Sequence, residues 1–267
     1  MYVHNLNPVL FDFLGLQVRF YGVFLALLFI IGFFLGKWYL KIHDKDPKKV
    51  DDLFIVSFIS FLIGARLGHI IFYNLSYFLK HPLEIFFIWR GGLASHGAVI
   101  GLILGMLYLM KKTNLKFFFI SDLFSWVGSL AVFFVRLGNF FNGEIVGRTT
   151  DSPLGVIFSC EKYKLNQCSE VPRHPVQLYE SVLGICIFIV LSLLVKKYKK
   201  KLPFGIITSI FLILYFGGRF LLEFFKEYTG QLILFPLTNG QVLSIPLVLI
   251  GILLLYKIGK NKSIFSK

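Results

Sequence analysis

Charged residues are scarce in this chain of 267 residues. Asp, Glu, Lys and Arg make up 16% of it and hydrophobic residues 56%, whereas a soluble domain carries about 25% charged and about 45–50% apolar residues. So few polar groups cannot cover so much apolar surface in a water-soluble fold. The composition therefore excludes a soluble enzyme, a disordered tail and a fibrous protein, and it favours a polytopic helical membrane protein.

Cysteines and acidic residues are also few. Three cysteines cannot build a disulfide scaffold, and the sequence has no CxxC motif and no Cys/His cluster with metal-ligand spacing. The 14 acidic residues include no pair spaced for a metal-dependent phosphotransferase, and no GxSxG motif is present. We therefore expect chemistry without a metal, another cofactor or a serine nucleophile.

Long apolar runs are what the chain has instead. A helix needs about 20 apolar residues to cross the hydrocarbon core, and about seven stretches approach that length. The pattern predicts an all-α fold, with a single transmembrane domain over residues 1–267 and an extracytoplasmic loop at 138–175. The predicted spans are Val18–Leu40, Leu53–Tyr73, Ser95–Met110, Phe117–Val135, Val176–Val195, Phe204–Phe224 and Gln241–Tyr256.

Lysine and arginine are distributed unequally between the two sides of these spans. The segments 37–49, 111–116, 196–201 and 257–267 hold 17 lysines and no arginine. The positive-inside rule places them in the cytosol, so we expect the amino terminus outside and the carboxyl terminus in the cytosol. This topology accounts for the net charge of +14 better than nucleic-acid binding does. The arginines lie elsewhere, where their planar donors would suit anionic headgroups.

Polar residues gather at the predicted outer end of the spans. Ionisable residues in membrane spans are costly, so they usually mark function or pair with one another. Tyr215, Arg219 and Glu223 recur at steps of four and share one helical face. Arg219 would hold a phosphate there, or the three would form an internal ion pair. The other members are Tyr21, Arg66, His69, Tyr73, His96, Arg136, Asn139, Gln177, Tyr179 and Glu180.

The second and third predicted spans carry features with two interpretations. Arg66 would bind a headgroup or hydrogen-bond main-chain carbonyls. The imidazole of His96 has a pKa near neutrality and would carry a proton or a hydrogen bond, whereas His69 is more typical of packing. Gly97, Gly101 and Gly105 follow at four-residue spacing, which favours close approach of another helix.

The densest polar run is VRLGNFFNGEIVGR, residues 135–148. Its amides need hydrogen-bond partners and cannot face lipid, so the run would line a water-filled pocket at the membrane surface or form an ordinary outer loop. Cys160 and Cys168 follow in the same loop, where oxidation is permitted. They form a disulfide in one interpretation and remain free thiols in the other.

Six motifs carry a family resemblance. The run RLGNFFNGEIVG is similar to the signature of the phosphatidylglycerol–prolipoprotein diacylglyceryl transferases, which act first in bacterial lipoprotein maturation. RFYG, GARLGHIIFYN, RGGLASHG, RHPVQLYE and YFGGRFLLEFF support it in the family's order over nearly the whole chain. Val135 stands where the signature usually begins with Gly, and Ala98 stands where a second Gly is common after the His-Gly pair. Both departures concern packing, and the segment 160–168 has no role that the family supplies.

The resemblance implies an activity and a set of residues. The diacylglyceryl group of phosphatidylglycerol would pass to the cysteine thiol of a prolipoprotein lipobox as a thioether, with release of glycerol phosphate. The enzyme would lie in the bacterial cytoplasmic (inner) membrane, with its site facing the outer leaflet. Catalytic roles are implied for His96, Arg136, Glu144, Tyr215, Arg219 and Glu223, and substrate-binding roles for Tyr21, Arg136, Asn139, Gly147 and Arg219.

Some residue roles stay open at this point. Arg66 and Asn142 join the substrate-binding candidates because they belong to the polar segments. His96 is the first candidate for the base that removes the thiol proton, and Glu144 or Glu223 would do so instead or would orient an arginine.

Three other classes of protein compete with the transferase. A secondary transporter would carry charges near the midplane and often shows repeated halves. A lipid-binding scaffold would tolerate the loss of His96, which an enzyme that uses it would not. An intramembrane protease is disfavoured because Ser95 lies next to His96 in the chain and lacks the geometry of a Ser/His pair on separate helices.

Overall fold

The computed structural model describes residues 2–13, 16–87, 92, 94–158, 171–227 and 237–260, without the side chains of residues 13, 16, 95 and 96. The chain divides into two compact units. Met1–Gly32 and Asp122–Lys267 form one unit, and Phe33–Ser121 forms the other.

Helices dominate both units. Among the residues that the structure describes, six helices are long and apolar enough to cross a membrane: α1, α2, α5, α6, α7 and α8. Helix α4 is not among these six because its ends are polar, with His96 at the start and Lys111 and Lys112 at the end. The helices are α1 Phe20–Ile42, α2 Lys49–Tyr73, α3 Leu75–Lys80, α4 Ser95–Thr113, α5 Phe117–Asn142, α6 Val176–Tyr198, α7 Ile206–Leu222 and α8 Asn239–Lys260.

The prediction of an all-α membrane protein is thus confirmed, while the number of spans and their orientation stay predictions. The helices cover the seven predicted runs with shifts of a few residues at most ends. Helix α5 is the main difference, because it continues past the expected end at Val135 to Asn142. Residues 138–142 of the expected loop are therefore helical. Their polar side chains can stay on the helix because other side chains satisfy them, as described below.

In the unit Phe33–Ser121, glycines bring α2 and α4 into contact. A Cβ atom on Gly68 would lie 2.6 Å from the Gly97 Cα, and one on Gly101 would lie 2.9 Å from the Gly64 Cα. Such distances leave no room for any side chain at these positions. The prediction that Gly97 and Gly101 serve helix packing is confirmed, and Gly105 likewise faces Ser60 of α2.

In the other unit, a buried carboxylate connects α5 to α7. Asp122 of α5 accepts hydrogen bonds from the main-chain nitrogens of Gly205 (2.7 Å) and Thr208 (2.8 Å) and from the Thr208 hydroxyl (2.7 Å). The first turn of a helix has main-chain donors without helical partners, and an anion is favourable there. Asp122 therefore caps α7 from a different helix.

Short strands complete this unit. Strand β1 (Tyr2–His4) pairs in parallel with β4 (Val156–Phe158), and β2 (Val9–Phe13) pairs antiparallel with β3 (Leu16–Arg19). Phe140, at the end of α5, packs with Val156 and Phe158 in a small apolar core. The ring of His4 lies 4.7 Å from that of Phe140. This core holds the segment after α5 against the end of that helix.

Candidate active site

An ion pair between α5 and α6 forms the centre of the site. The Arg136 Nε lies 2.5 Å from the Glu180 Oε2, with side chains 13% and 2% exposed. A second nitrogen of Arg136 donates to the Asn139 Oδ1 at 3.3 Å. Both charges are removed from water, so each depends on the other for compensation.

Glu144 is held by the end of α5. Asn139 and Asn142 donate to its two carboxylate oxygens at 3.0 and 3.1 Å. Gly143 has a φ of +68°, in the left-handed region that favours glycine, and this turn directs Glu144 back onto the helix end. Gln177 of α6 donates to the Glu144 carbonyl at 2.5 Å. The polar run is therefore a connected hydrogen-bond network on a helix end.

Helix α7 adds the predicted stripe. Arg219 lies within electrostatic reach of Tyr215, Glu180 and Glu223. The stripe thus belongs to the same cluster as Arg136. The contacts of Arg219 with its neighbours fit both an internal ion pair and a phosphate-binding role. An arginine oriented by neighbouring side chains can also present a donor to a phosphate.

Lys226 brings a third cation to the cluster. Its Nζ lies 3.8 Å from the Glu223 Oε2, and it is within electrostatic reach of Glu180, Arg136 and Arg219. Burial lowers the pKa of the Lys226 ammonium below its ordinary value, although the charge of Glu223 opposes this shift. The cluster therefore contains cations and carboxylates in close balance.

Tyr21 reaches the cluster from α1. Its ring packs on Gly138, where a Cβ atom would lie 3.1 Å from the Tyr21 Cγ. Its hydroxyl lies within electrostatic reach of Glu144 and Arg136. A side chain larger than that of Gly138 would push the ring away.

Gly147 is surrounded by main chain. Its amide donates to the His174 carbonyl at 3.0 Å, and it pairs with Lys226 across an antiparallel bridge. A Cβ atom here would lie 2.7 Å from the Phe225 carbonyl oxygen. Close packing of three segments therefore explains the need for glycine, and the substrate-binding role stays a prediction.

Arg66 lies in the other unit and has main-chain partners. Its guanidinium donates to the carbonyls of Ile85 (2.8 Å), Gly92 (3.2 Å) and Glu84 (2.5 Å), and the residue is buried. These partners fit the interpretation in which Arg66 hydrogen-bonds main-chain carbonyls. Its role in substrate binding stays a prediction. His96 is the second residue of α4 in the same unit, and its side chain lies outside the described residues, as do Cys160 and Cys168.

Sequence reasoning did not select four residues of this unit as site residues. Glu180 and Gln177 are each 1% exposed. The sequence feature that could have indicated them is their position in the motif RHPVQLYE, at the predicted depth of the other polar residues. Arg173 donates to Glu227 at 2.6 Å and fastens the segment beside Gly147. Lys226 gave no signal, because a lone lysine after a span resembles an ordinary loop residue.

Comparisons with known proteins identify the family of the chain. The profile of the family described as prolipoprotein diacylglyceryl transferase matches residues 8–257. The chain is similar to proteins named phosphatidylglycerol–prolipoprotein diacylglyceryl transferase from three bacteria. Identity is 37% to that of Tolumonas auensis, covering 97% of this chain and 98% of the relative. It is 36% to that of Geobacter sulfurreducens, covering 97% of each, and 35% to that of Vibrio atlanticus, covering 97% and 94%. A match over nearly the full length, on a membrane-helix fold with the expected motifs, means that the chain belongs to the prolipoprotein diacylglyceryl transferase family.

Proposed function

We propose that this chain transfers the diacylglyceryl group of phosphatidylglycerol to the thiol of the lipobox cysteine of a prolipoprotein. The observation that carries the proposal is the cluster of two buried glutamates, Glu180 and Glu223, with two half-buried arginines, Arg136 and Arg219, in a chain of this family. The enzyme works in the bacterial cytoplasmic membrane with its site at the outer leaflet. Both substrates are embedded in the membrane and enter between helices.

The reaction exchanges one bond at a glycerol carbon. The thiolate sulfur attacks the carbon that carries the phosphate, and a C–S bond forms. The C–O bond to the phosphate breaks, its electron pair stays on the phosphate oxygen, and glycerol phosphate leaves. The thiol proton passes to a base, since a free cysteine thiol has a pKa of about 8.5. His96 is the first candidate for this base, with Glu144 and Glu223 as the alternatives.

The two arginines stabilise the leaving group. Negative charge grows on the phosphate oxygen as the bond breaks, and guanidinium groups that have already exchanged a partner for the bound phosphate need no reorganisation at that moment. Asn139 and Tyr215 supply further hydrogen bonds to the headgroup. Tyr21, Asn142 and Gly147 shape the same end of the helices.

A mass-spectrometric assay tests the proposal. A synthetic peptide containing the lipobox sequence Leu-Ala-Gly-Cys is incubated with the purified protein and phosphatidylglycerol, with no added metal. We expect a mass gain of one diacylglyceryl group on this peptide and none on a matched peptide with serine in place of cysteine. No gain on the cysteine peptide, with folded protein and phosphatidylglycerol present, would reject the transferase. A gain on both peptides would reject the thiol as acceptor.

A further inference from the structure

Glu223 has a carboxylate oxygen without a hydrogen bond. The residue is 3% exposed, and within the part of the chain that the structure describes its buried Oε2 has no hydrogen-bond partner. The Lys226 Nζ, at 3.8 Å, is too far to donate. Buried polar atoms are nearly always hydrogen-bonded, and an exception calls for an explanation such as a missing ligand. An ionised carboxylate is purely an acceptor, so this ligand must bring a donor.

The surroundings fix this carboxylate in place. An ideal Cβ on Gly240 would lie 2.6 Å from both the Cδ and the Oε1 of Glu223, so any other residue at position 240 would displace the carboxylate. Gly240 belongs to the first turn of α8, whose positive end favours a negative charge. The charge of Lys226 acts in the same direction. Both neighbours favour negative charge at this position, and the fixed carboxylate oxygens are placed to accept hydrogen bonds.

The neighbours of Glu223 indicate which donor it meets. Glu223 directly follows the last residue of α7 and lies four residues after Arg219, about one helical turn or ~5.4 Å along the axis. A phosphate held by Arg219 would therefore place the alcohol attached to that phosphate beside Glu223. In phosphatidylglycerol this alcohol is a second glycerol, which carries two hydroxyl donors within such a distance of its phosphate.

Building on the proposed function, we infer that Glu223 recognises the headgroup glycerol by accepting hydrogen bonds from its hydroxyls. It makes the enzyme selective for phosphatidylglycerol over lipids whose headgroup lacks hydroxyls. Gly240 is a positioning residue, because it leaves the space that the carboxylate occupies. Glu223 is then a substrate-contacting group and not the base for the thiol.

Phosphatidylpropanol is the probe that tests this inference. It keeps the phosphate, its charge and the three headgroup carbons but lacks both hydroxyls, and the reacting glycerol carbon is unchanged. We expect the wild-type enzyme to prefer phosphatidylglycerol by about 10- to 100-fold in kcat/KM, the effect of a charge-assisted hydrogen bond. Equal kcat/KM values for the two lipids would overturn the inference without any variant.

Variants then locate the preference. Glu223→Gln removes the charge, and Gly240→Ala displaces the carboxylate but keeps it. Both should reduce the lipid preference several-fold, whereas Glu227→Gln, which alters a carboxylate paired with Arg173, should retain it. If Glu223 were the base, Glu223→Gln would slow both lipids equally and leave the preference unchanged, and that result would overturn the inference.

A binding measurement covers variants that no longer turn over. Phosphatidylglycerol should raise the melting temperature of the wild-type protein in detergent more than phosphatidylpropanol does, and the two lipids should act equally on Glu223→Gln. An undiminished difference in that variant would overturn the inference. Failure of the proposed function looks different, because wild-type enzyme would then form no thioether from phosphatidylglycerol at all.

Discussion

Two arginines that are largely shielded from water, one in each unit, have different kinds of partner. Arg66 donates to three main-chain carbonyls, whereas Arg136 pairs with the side chains of Glu180 and Asn139. Carbonyls are part of the folded backbone and cannot be released without unfolding it. Carboxylate and amide side chains can rotate and pair again. Arg66 is thus suited to holding a segment, and Arg136 to exchanging a partner for a phosphate.

The largest expected effect comes from removing the exchangeable arginine. Arg136→Ala should lower kcat/KM for diacylglyceryl transfer by at least about 100-fold, the scale of lost stabilisation of a developing oxyanion. Peptide mass gain over time measures it. Arg19→Ala, which alters an exposed arginine of β3, should leave the rate unchanged. A near-normal rate in Arg136→Ala would reject the role of Arg136.

The same variant allows stability and chemistry to be separated. Arg136→Ala leaves Glu180 buried without its partner, which costs about 3–5 kcal/mol when a buried pair is broken from one side. Adding Glu180→Gln should recover the melting temperature without recovering transfer. If transfer returned with the melting temperature, the ion pair would be purely structural.

Removing Arg66, the arginine with main-chain partners, should affect stability more than activity. Arg66→Met leaves the carbonyls of Glu84, Ile85 and Gly92 without their donor, at about 1–3 kcal/mol for a buried group left unsatisfied. We expect a lower melting temperature and faster proteolysis near these carbonyls. The kcat/KM of the folded fraction should fall much less than in Arg136→Ala. Unchanged stability with lost transfer would instead place Arg66 on the substrate.

At the glycine contact between α2 and α4, the stability of the protein should depend on the volume of the side chain. Gly101→Ala forces a methyl group toward the Gly64 Cα, and such overpacking costs about 1–3 kcal/mol. Thermal unfolding in detergent measures this. The matched control is Gly128→Ala in α5, since nothing lies within 4 Å of a Cβ there. The control should be neutral or slightly stabilised, and equal behaviour of the two variants would contradict the close contact.

The smallest expected effect is a pH dependence from Lys226. Its pKa is lowered in the folded protein by burial, so the unfolded chain binds this proton more tightly. Unfolding therefore takes up a proton at alkaline pH, and the Lys226 contribution to stability rises with pH in the range just below the ordinary lysine pKa of about 10.4. Melting curves over this range should show the rise in wild-type protein. Lys226→Arg stays charged throughout and should lack it, and identical pH profiles would contradict the shift.

The membrane helices could be predicted from sequence because one length scale, the hydrocarbon thickness, sets each apolar run. The end of α5 could not, since its continuation to Asn142 depends on Asn139 and Asn142 reaching Glu144. The single-domain assignment, the roles of the site residues and the position of His96 relative to Arg136 stay predictions.

Contacts between distant parts of the chain also escaped prediction. Glu223 belongs to the motif YFGGRFLLEFF and Gly240 to none of the six motifs, and only the folded chain brings this glycine against the carboxylate. Strands β1 and β4 are too short to show a pattern and pair across more than 150 residues. Composition and motif spacing identify candidate residues, whereas their partners depend on tertiary packing.

The cap that Asp122 provides has a consequence for biosynthesis. Helix α5 leaves the ribosome before α7, so its carboxylate enters the membrane while the amides of Gly205 and Thr208 do not yet exist. An aspartate in the centre of an inserting helix costs about 2.5–3.5 kcal/mol, and one nearer the end costs less. The nascent α5 therefore gains these hydrogen bonds to Asp122 only when the later helix docks. Order of synthesis thus makes α7 the partner that completes the insertion of α5, and defects at Asp122 would reduce the yield of assembled protein before they alter its catalysis.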